Sequence, residues 1–239
     1  DAAALCLKSG NAAILRGGKE ALRTNLALGR LLSAALEEAG LPAEAVQVVA
    51  SADRELVPEL LRLGQYIDLV VPRGGKGLIR AVMDHSEIPI LKHLDGICHV
   101  YVDAAADLEW AEAIAWNAKV QRPGTCNAME TLLVHRAVAN KFLPVFLRRL
   151  RDGGVTLKGD AKTRRIGKGI AIEAATEESW RTEYLDLVLN VAIVRDLTHA
   201  IRHINTYGSR HTDAIVTRDV EAARRFQQEV DSSSVMVNV

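Results

Sequence analysis

Short runs of β-branched and aliphatic residues alternate with longer amphipathic stretches along almost the whole chain. The first run, at 12–15, predicts a buried strand, and leucines at helical spacing predict a helix over 19–39. Strand and helix then follow each other repeatedly. This alternation predicts parallel sheets with helices on both faces, which is an α/β fold.

The remaining predicted elements follow the same pattern. The predicted strands lie at 46–49, 67–71, 88–91, 99–102, 131–135, 155–158, 186–194, 214–217 and 234–239. The predicted helices lie at 53–63, from about 78, and at 106–118, 137–151, 197–207 and 220–229. Residues 161–179 are polar and charged, and they predict no clear element. A pause at 93–97 predicts two α/β domains, at 1–97 and 98–239.

Composition excludes several classes of protein. The 239 residues carry 30 basic and 30 acidic side chains, a net charge of +0, which argues against broad nucleic-acid binding. No apolar run approaches the length that crosses a bilayer, so no membrane partner is expected. Three widely spaced cysteines favour free thiols in a reducing compartment, and we expect the cytoplasm. The ends resemble internal segments, and we expect a longer parent protein.

Two glycine turns are candidate phosphate sites. Neither Gly17-Gly18-Lys19 nor Gly74-Gly75-Lys76 is followed by the Ser or Thr that completes a P-loop. Each turn follows a predicted strand and begins a helix, where backbone N–H groups bind anions in α/β proteins. Arg16 and Lys19 flank the first turn and could pair with a phosphate. An ordinary βα turn with solvated cations remains an equal alternative.

Cys126 differs from the other two cysteines. Cys6 and Cys98 lie in apolar stretches, which is typical of buried, inert thiols. Cys126 follows Arg122 in a Pro/Gly loop, near a possible helix start, where positive charge and oriented N–H groups lower a thiol pKa. The spacing makes Cys126 a candidate nucleophile, although most cysteines are structural.

The histidines predict no metal site. They are dispersed along the chain, at His85, His93, His99, His135, His199, His203 and His211. The pair at 199 and 203 shares one helix face, but no third ligand completes a zinc site. A polar helix face is the expected role of that pair.

Five sequence blocks resemble one known family, the γ-glutamyl phosphate reductases of the aldehyde dehydrogenase superfamily. They lie at 10–20, 71–75, 96–103, 126–135 and 211–217. The block from Cys126 to His135 and the block Gly17-Gly18-Lys19-Glu20 are the most specific. The resemblance implies a Rossmann-like NADP-binding domain and an α/β catalytic domain. It also implies that the family's N- and C-terminal parts lie outside this segment.

The resemblance implies a mechanism and a set of roles. The Cys126 thiolate attacks L-glutamyl 5-phosphate, releases phosphate and forms a thioester that NADPH reduces to L-glutamate 5-semialdehyde, the second step of proline biosynthesis. The implied roles are catalysis for Cys126 and Asn127, NADP(H) binding for Arg16, Lys19, Gly74, Gly75 and Glu183, and substrate binding for Arg122 and His211. A homo-oligomer and a glutamate 5-kinase partner are expected.

The stretch 91–96 departs from hydrolytic aldehyde dehydrogenases, because it lacks the glutamate that activates water. Its absence favours transfer of the acyl group to phosphate. Two alternatives remain: a CoA-acylating aldehyde dehydrogenase, and a catalytically silent assembly segment. Residues 1–239 alone are expected to bind NADPH weakly and to be marginally stable.

Overall fold

The computed structural model describes residues 2–92 and 94–239, apart from the side chain of Lys76. The chain folds into two compact units, 1–92 and 93–239. Every strand pairing among the described residues is parallel, which confirms the predicted α/β class. The roles predicted for the two domains, with a boundary after Ile97, stay predictions.

The first unit has one short parallel sheet with helices beside it. Its elements are α1 (Ala2–Lys8), β1 (Ala13–Leu15), a 3₁₀ turn (Lys19–Ala21), α2 (Leu22–Glu38), a 3₁₀ turn (Ala43–Ala45), β2 (Val46–Val48), α3 (Leu56–Leu60) and α4 (Lys76–His85). Strand β1 pairs with β2, with Ala13 opposite Val46. Gly29 of α2 lies so close to β2 that a Cβ atom would meet Val48 Cγ2 at 2.7 Å.

Two strands predicted in the first unit are wrong. Of 67–71 and 88–91, only Val70 and Ile90 form a parallel bridge. Pro72 and Pro89 explain the shortening, because proline cannot donate to a ladder. The helix predicted at 53–63 is also shorter, since the Asp53 carboxylate accepts from the Glu55 N–H and holds a turn there.

The second unit is built on one seven-stranded parallel sheet. Its strands are β3 (Cys98–Val102), β4 (Met129–His135), β5 (Thr156–Gly159), β6 (Ile172–Ala174), β7 (Val188–Val194), β8 (Thr212–Val216) and β9 (Ser234–Val237). Its helices are α5 (Leu108–Val120), α6 (Arg136–Asp152), α7 (Ala161–Ile166), α8 (Glu177–Trp180), α9 (Leu197–Tyr207) and α10 (Val220–Glu229). The strand order is β6-β5-β7-β4-β3-β8-β9.

The sheet of the second unit is buried on both faces. Alternate side chains of β4 show this, since Leu132 and Val134 pack in the cluster that includes α5 and α6, whereas Leu133 packs in the cluster that includes α9 and α10. Phe146 fills the first cluster and Phe226 the second, both fully buried. Two-sided burial explains why β4 is apolar without strict alternation.

The region 161–179, for which no element was predicted, contains α7, β6 and α8. Asp160 caps α7: its Oδ1 accepts from the Thr163 N–H at 2.7 Å, and its Oδ2 accepts from the Ile193 N–H at 3.2 Å. All three elements are too short for periodicity to identify them. The capping aspartate is the signal that could have located α7.

We predict that Asp160→Ala lowers the free energy of unfolding by about 1–2 kcal/mol, because it removes the cap of α7 and the partner of Ile193. Urea unfolding followed by circular dichroism measures this loss. Asp152→Ala is the control, since Asp152 forms an exposed pair with its neighbour Arg151, and it should change the free energy by less than about 0.5 kcal/mol. Equal losses in both variants would contradict the capping role.

Candidate functional site

Cys126 lies in a turn between the end of α5 and the start of β4. The turn is held by its own backbone, because the Thr125 N–H donates to Arg122 O at 3.2 Å and the Ala128 N–H donates to Thr125 O at 3.0 Å. The Cys126 side chain is exposed, as a nucleophile must be. The element that follows is the strand β4, so the possible helix start considered beside Cys126 is not formed.

The site lies at the amino ends of neighbouring parallel strands. Cys126 precedes β4, Gly96 precedes β3, Glu183 precedes β7 and His211 precedes β8. These four strands are adjacent in the order β7-β4-β3-β8. Because these strands are adjacent, their amino ends bring together residues that are more than 100 positions apart in sequence, such as Gly96 and His211. This position is unusual, since ligands of open α/β sheets more often bind at the carboxyl ends.

Gly96 touches the backbone of Cys126. A Cβ atom on Gly96 would lie 1.9 Å from Cys126 O and 2.9 Å from Cys126 Cα, so only glycine fits. The Gly96 N–H donates to Glu183 Oε1 at 2.8 Å. Glu183, which was predicted to bind the cofactor, therefore contacts Gly96, and Gly96 contacts Cys126.

Cys98 connects Cys126 to His211. The Cys98 thiol donates to Cys126 O at 3.3 Å, and its Sγ lies 3.8 Å from His211 Nδ1. His211 Nδ1 also lies 2.8 Å from Thr212 Oγ1. Burial, together with the carboxylate of Asp213, raises the pKa of Cys98 to about 12. Cys98 is thus the protonated neighbour of the exposed thiol, a role that its apolar sequence context did not predict.

Stability should fall above pH 9 because of Cys98. Its pKa of 9.0 in the unfolded chain rises to about 12 in the fold, so only the unfolded state loses this proton between those values. The free energy of unfolding then falls by up to about 1.4 kcal/mol per pH unit from this group alone. Urea unfolding at pH 8 to 11 measures how the free energy of unfolding depends on pH. In Cys98→Ala that free energy should fall less steeply with pH than in the wild type, by the contribution of one titrating group. An unchanged slope there, equal to that of the control Cys6→Ala, would contradict the assignment.

The other two site residues predicted in the Cys126 turn are exposed to solvent. Asn127 and Arg122 are exposed in the Cys126 turn, and the Arg122 carbonyl accepts from Thr125 Oγ1 at 2.8 Å. Neither side chain touches Cys98 or Gly96 in any hydrogen bond that the structure describes. Their catalytic and substrate roles stay predictions.

The polar role predicted for the helix pair His199 and His203 is wrong for His203. Its ring packs edge-on against Trp180 at 5.2 Å and lies 4.6 Å from Tyr207. Burial lowers the pKa of His203 to about 3, and the charge of nearby His99 is the second cause. Within 2–92 and 94–239, no three histidine, cysteine or carboxylate side chains are placed to hold a metal ion. His93 lies outside the described residues.

The first unit holds the predicted cofactor residues at two turns. Arg16 follows β1, and its Nη2 donates to the carbonyls of Ala52 and Asp53 at 2.8 and 2.9 Å. Its buried Nε has no hydrogen-bond partner in the described part of the chain, and Lys19 is exposed in the 3₁₀ turn that follows. A Cβ on Gly17, between them, would meet Asn25 Nδ2 at 2.0 Å, so a larger residue there would force the Asn25 side chain to move.

Gly74 and Gly75 precede α4. Gly75 is the residue before the helix, it has no capping side chain, and a Cβ there would meet no atom within 4 Å. The first turn of α4 contains no acidic residue. This helix end leaves N–H groups open to an anion, and the residues present therefore fit a phosphate-bearing cofactor.

No described helix is long and apolar enough to cross a bilayer.

Known proteins are similar to this chain in sequence and fold. The aldehyde dehydrogenase family model matches residues 1–167. The chain is 53% identical over 238 residues to gamma-glutamyl phosphate reductase of Geobacter metallireducens, covering 100% of this chain and 56% of that protein. The crystal structure of gamma-glutamyl phosphate reductase from Thermotoga maritima is 45% identical with a TM-score of 0.90, covering 98% of this chain and 56% of that one.

A more distant structure shares the fold alone. It is an acetylating aldehyde dehydrogenase from Geobacillus thermoglucosidasius, 18% identical with a TM-score of 0.72, over 98% of this chain and 59% of that one. The resemblance predicted from the five sequence blocks is confirmed. The chain spans little more than half the length of these relatives.

Proposed function

Because the chain belongs to the aldehyde dehydrogenase family, we propose that its protein reduces L-glutamyl 5-phosphate to L-glutamate 5-semialdehyde and phosphate with NADPH. The observation that carries this proposal is the exposed thiol of Cys126, in a turn whose backbone contacts Gly96 and Cys98. Gly96 in turn binds Glu183, and Cys98 lies 3.8 Å from His211. The identity of 53% to a gamma-glutamyl phosphate reductase supports the substrate.

In this proposal Cys126 is the nucleophile. Its thiolate forms a bond to the acyl carbon, the bond from that carbon to the phosphate oxygen breaks, and phosphate leaves with its electron pair. A thioester on Cys126 remains, so one difficult reduction becomes two easier steps. When the aldehyde is released, the bond to sulfur breaks and the thiolate returns. The backbone N–H of Cys126 and the amide of Asn127 are the proposed donors to the oxyanion.

The stretch in front of β3 supports transfer to phosphate instead of water. The Cys126 backbone is in contact with Gly96, and the stretch 94–96 in front of β3 contains Leu94 and Asp95 but no glutamate. Asp95 is occupied by an interaction within the structure. We propose that no water-activating base acts here, and that Arg122 and His211 hold the phosphate or carboxylate of the substrate.

We propose NADP(H) as the cofactor, and it supplies the hydride that reduces the thioester. Arg16 and Lys19 would hold the 2′-phosphate by charge-assisted hydrogen bonds. The N–H groups after Gly74 and Gly75 would hold the pyrophosphate. Glu183 would orient the nicotinamide ribose, although it accepts from Gly96 in this structure.

The chemistry of the substrate also suggests partners and a compartment. An acyl phosphate is made by a kinase, so we propose glutamate 5-kinase as a functional partner of a homo-oligomeric enzyme. The free cysteines Cys6, Cys98 and Cys126 suit the reducing cytoplasm.

The reverse reaction tests the proposal. The full-length protein, with glutamate semialdehyde and NADP, should form NADPH only when inorganic phosphate is present. Absorbance at the NADPH band gives the rate, and CoA in place of phosphate should give none. Activity that depends on CoA would select a CoA-acylating dehydrogenase instead, and NADPH formation with neither acceptor would indicate hydrolysis.

A further inference from the structure

A buried ion pair closes the turn that carries Cys126. Lys119, in the last turn of α5, lies just before the turn, and Glu130, the second residue of β4, lies just after it. Lys119 Nζ donates to Glu130 Oε2 at 2.9 Å, and the side chains are 0% and 1% exposed. The two ends of the Cys126 turn are therefore joined below it by one contact that excludes water.

This pair is poorly explained as a source of stability. Burial lowers the pKa of Lys119 and raises the pKa of Glu130, which means that each charge is held at a desolvation cost that its partner offsets only in part. Buried ion pairs are often replaceable by apolar side chains of the same volume without loss of stability. An apolar pair would not supply the hydrogen-bond acceptor that the oriented Glu130 carboxylate provides.

The second oxygen of Glu130 holds another segment. Glu130 Oε1 accepts from the Leu185 N–H at 3.2 Å. Leu185 has a φ of 55°, a left-handed conformation that leucine adopts only where its surroundings enforce it. Two residues earlier Glu183 accepts from the Gly96 N–H, and Gly96 touches the Cys126 backbone. A closed ring of contacts and short chain segments results. Three contacts link Glu130 to Leu185, Glu183 to Gly96, and Gly96 to Cys126. The chain itself links Cys126 to Glu130 and Glu183 to Leu185.

We propose that Glu130, held by Lys119, is a positioning residue that fixes the strained Leu185 and thereby sets Glu183 and Gly96 against the Cys126 turn. This inference rests on the proposed role of Cys126 as the nucleophile. Glu130 is fully buried and has no access to substrate, so it acts through Leu185 and not by touching the reacting atoms.

Two double variants separate positioning from stability. Lys119→Met with Glu130→Met removes both charges and the acceptor of the Leu185 N–H. Lys119→Met with Glu130→Gln removes both charges but keeps an amide oxygen that accepts from Leu185. The Gln variant leaves a buried NH₂ group unpaired, so it should be no more stable than the Met variant. Thermal unfolding therefore cannot explain a defect that appears only in the Met variant.

The readouts are amide hydrogen exchange, alkylation of Cys126 by iodoacetamide, and steady-state kinetics, all on the full-length protein. In the Met variant, exchange at Leu185 and Gly96 should be at least about tenfold faster, and kcat should fall at least about tenfold with KM changed less than about threefold. The rate of Cys126 alkylation should change by at least about threefold. The Gln variant should stay within about threefold of wild type in all of these.

Phe226→Leu is the stability control, because Phe226 packs in the cluster with α9 and α10, away from the ring of contacts. It should lower the melting temperature without altering Cys126 alkylation. Wild-type exchange at Leu185 and Gly96 in the Met variant, or equal defects in the Met and Gln variants, would overturn the proposal. Amide exchange and Cys126 alkylation do not depend on turnover. If the wild-type protein had no reductase activity, the proposed function would be wrong, and the effect of Glu130 on the Cys126 turn could still be tested.

Discussion

Cys126→Ala abolishes phosphate-dependent NADPH formation, with an expected loss in kcat of at least about 10⁴-fold, because the thioester has no other sulfur to form on. Cys98 cannot take over this role. It is 2% exposed, and its pKa of about 12 keeps it a thiol at neutral pH. The variant should remain folded, since the Cys126 side chain is exposed. Absorbance assays with purified full-length protein measure the loss.

Cys6→Ala is the matched control for the nucleophile. Cys6 is the third free cysteine, it lies in α1 of the other unit, and its removal should leave turnover within about twofold of wild type. Activity that survives in Cys126→Ala, or that disappears in Cys6→Ala, would show that the wrong cysteine has been assigned.

Gly96→Ala should lower kcat/KM by about 10²-fold without removing any chemical group, because a new methyl group forces the Cys126 backbone aside and displacements near 1 Å cost about this much. The added Cβ would lie 1.9 Å from Cys126 O and 2.7 Å from Cys126 C, so the obstacle is backbone and cannot rotate away. Overpacking of this kind also costs about 1–3 kcal/mol of stability. Kinetics and urea unfolding measure the two effects.

Gly124→Ala is the control for Gly96, because Gly124 lies in the Cys126 turn itself. A Cβ there would lie 3.6 Å from Leu185 O, which is an ordinary contact, and its activity should stay within about threefold of wild type. If Gly96→Ala were as active as Gly124→Ala, the contact between Gly96 and Cys126 would have no part in holding the nucleophile.

Local sequence patterns predicted most of the second unit. The helices at 197–207 and 220–229 have the predicted bounds, because Asp196 and Asp219 cap them and apolar residues recur at helical spacing. The strand β4 followed from an apolar run that both faces of the sheet bury. Short or interrupted elements escaped prediction, as at Pro89 and in 161–179, where tertiary contacts and caps decide the structure.

The candidate site could be predicted only in part. The Pro/Gly loop marked Cys126, and the sequence block from Cys126 to His135 indicated its chemistry. The neighbours Gly96, Cys98 and Glu183 reach Cys126 through strand order, since a parallel sheet brings the starts of β3, β4 and β7 together. No role was predicted for Glu130, just before the predicted strand at 131–135, because only the fold reveals the buried ammonium of Lys119 beside it.

Peptide mass spectrometry of the acyl-enzyme tests the role of Cys126 most directly. The full-length protein, incubated with glutamate semialdehyde and NADP without phosphate and then quenched in acid, should carry a glutamyl adduct on the peptide that contains Cys126. Addition of phosphate before the quench should remove the adduct, because phosphate attacks the thioester. An adduct on another residue, or an adduct on Cys126 that water removes as fast as phosphate does, would contradict the proposed mechanism.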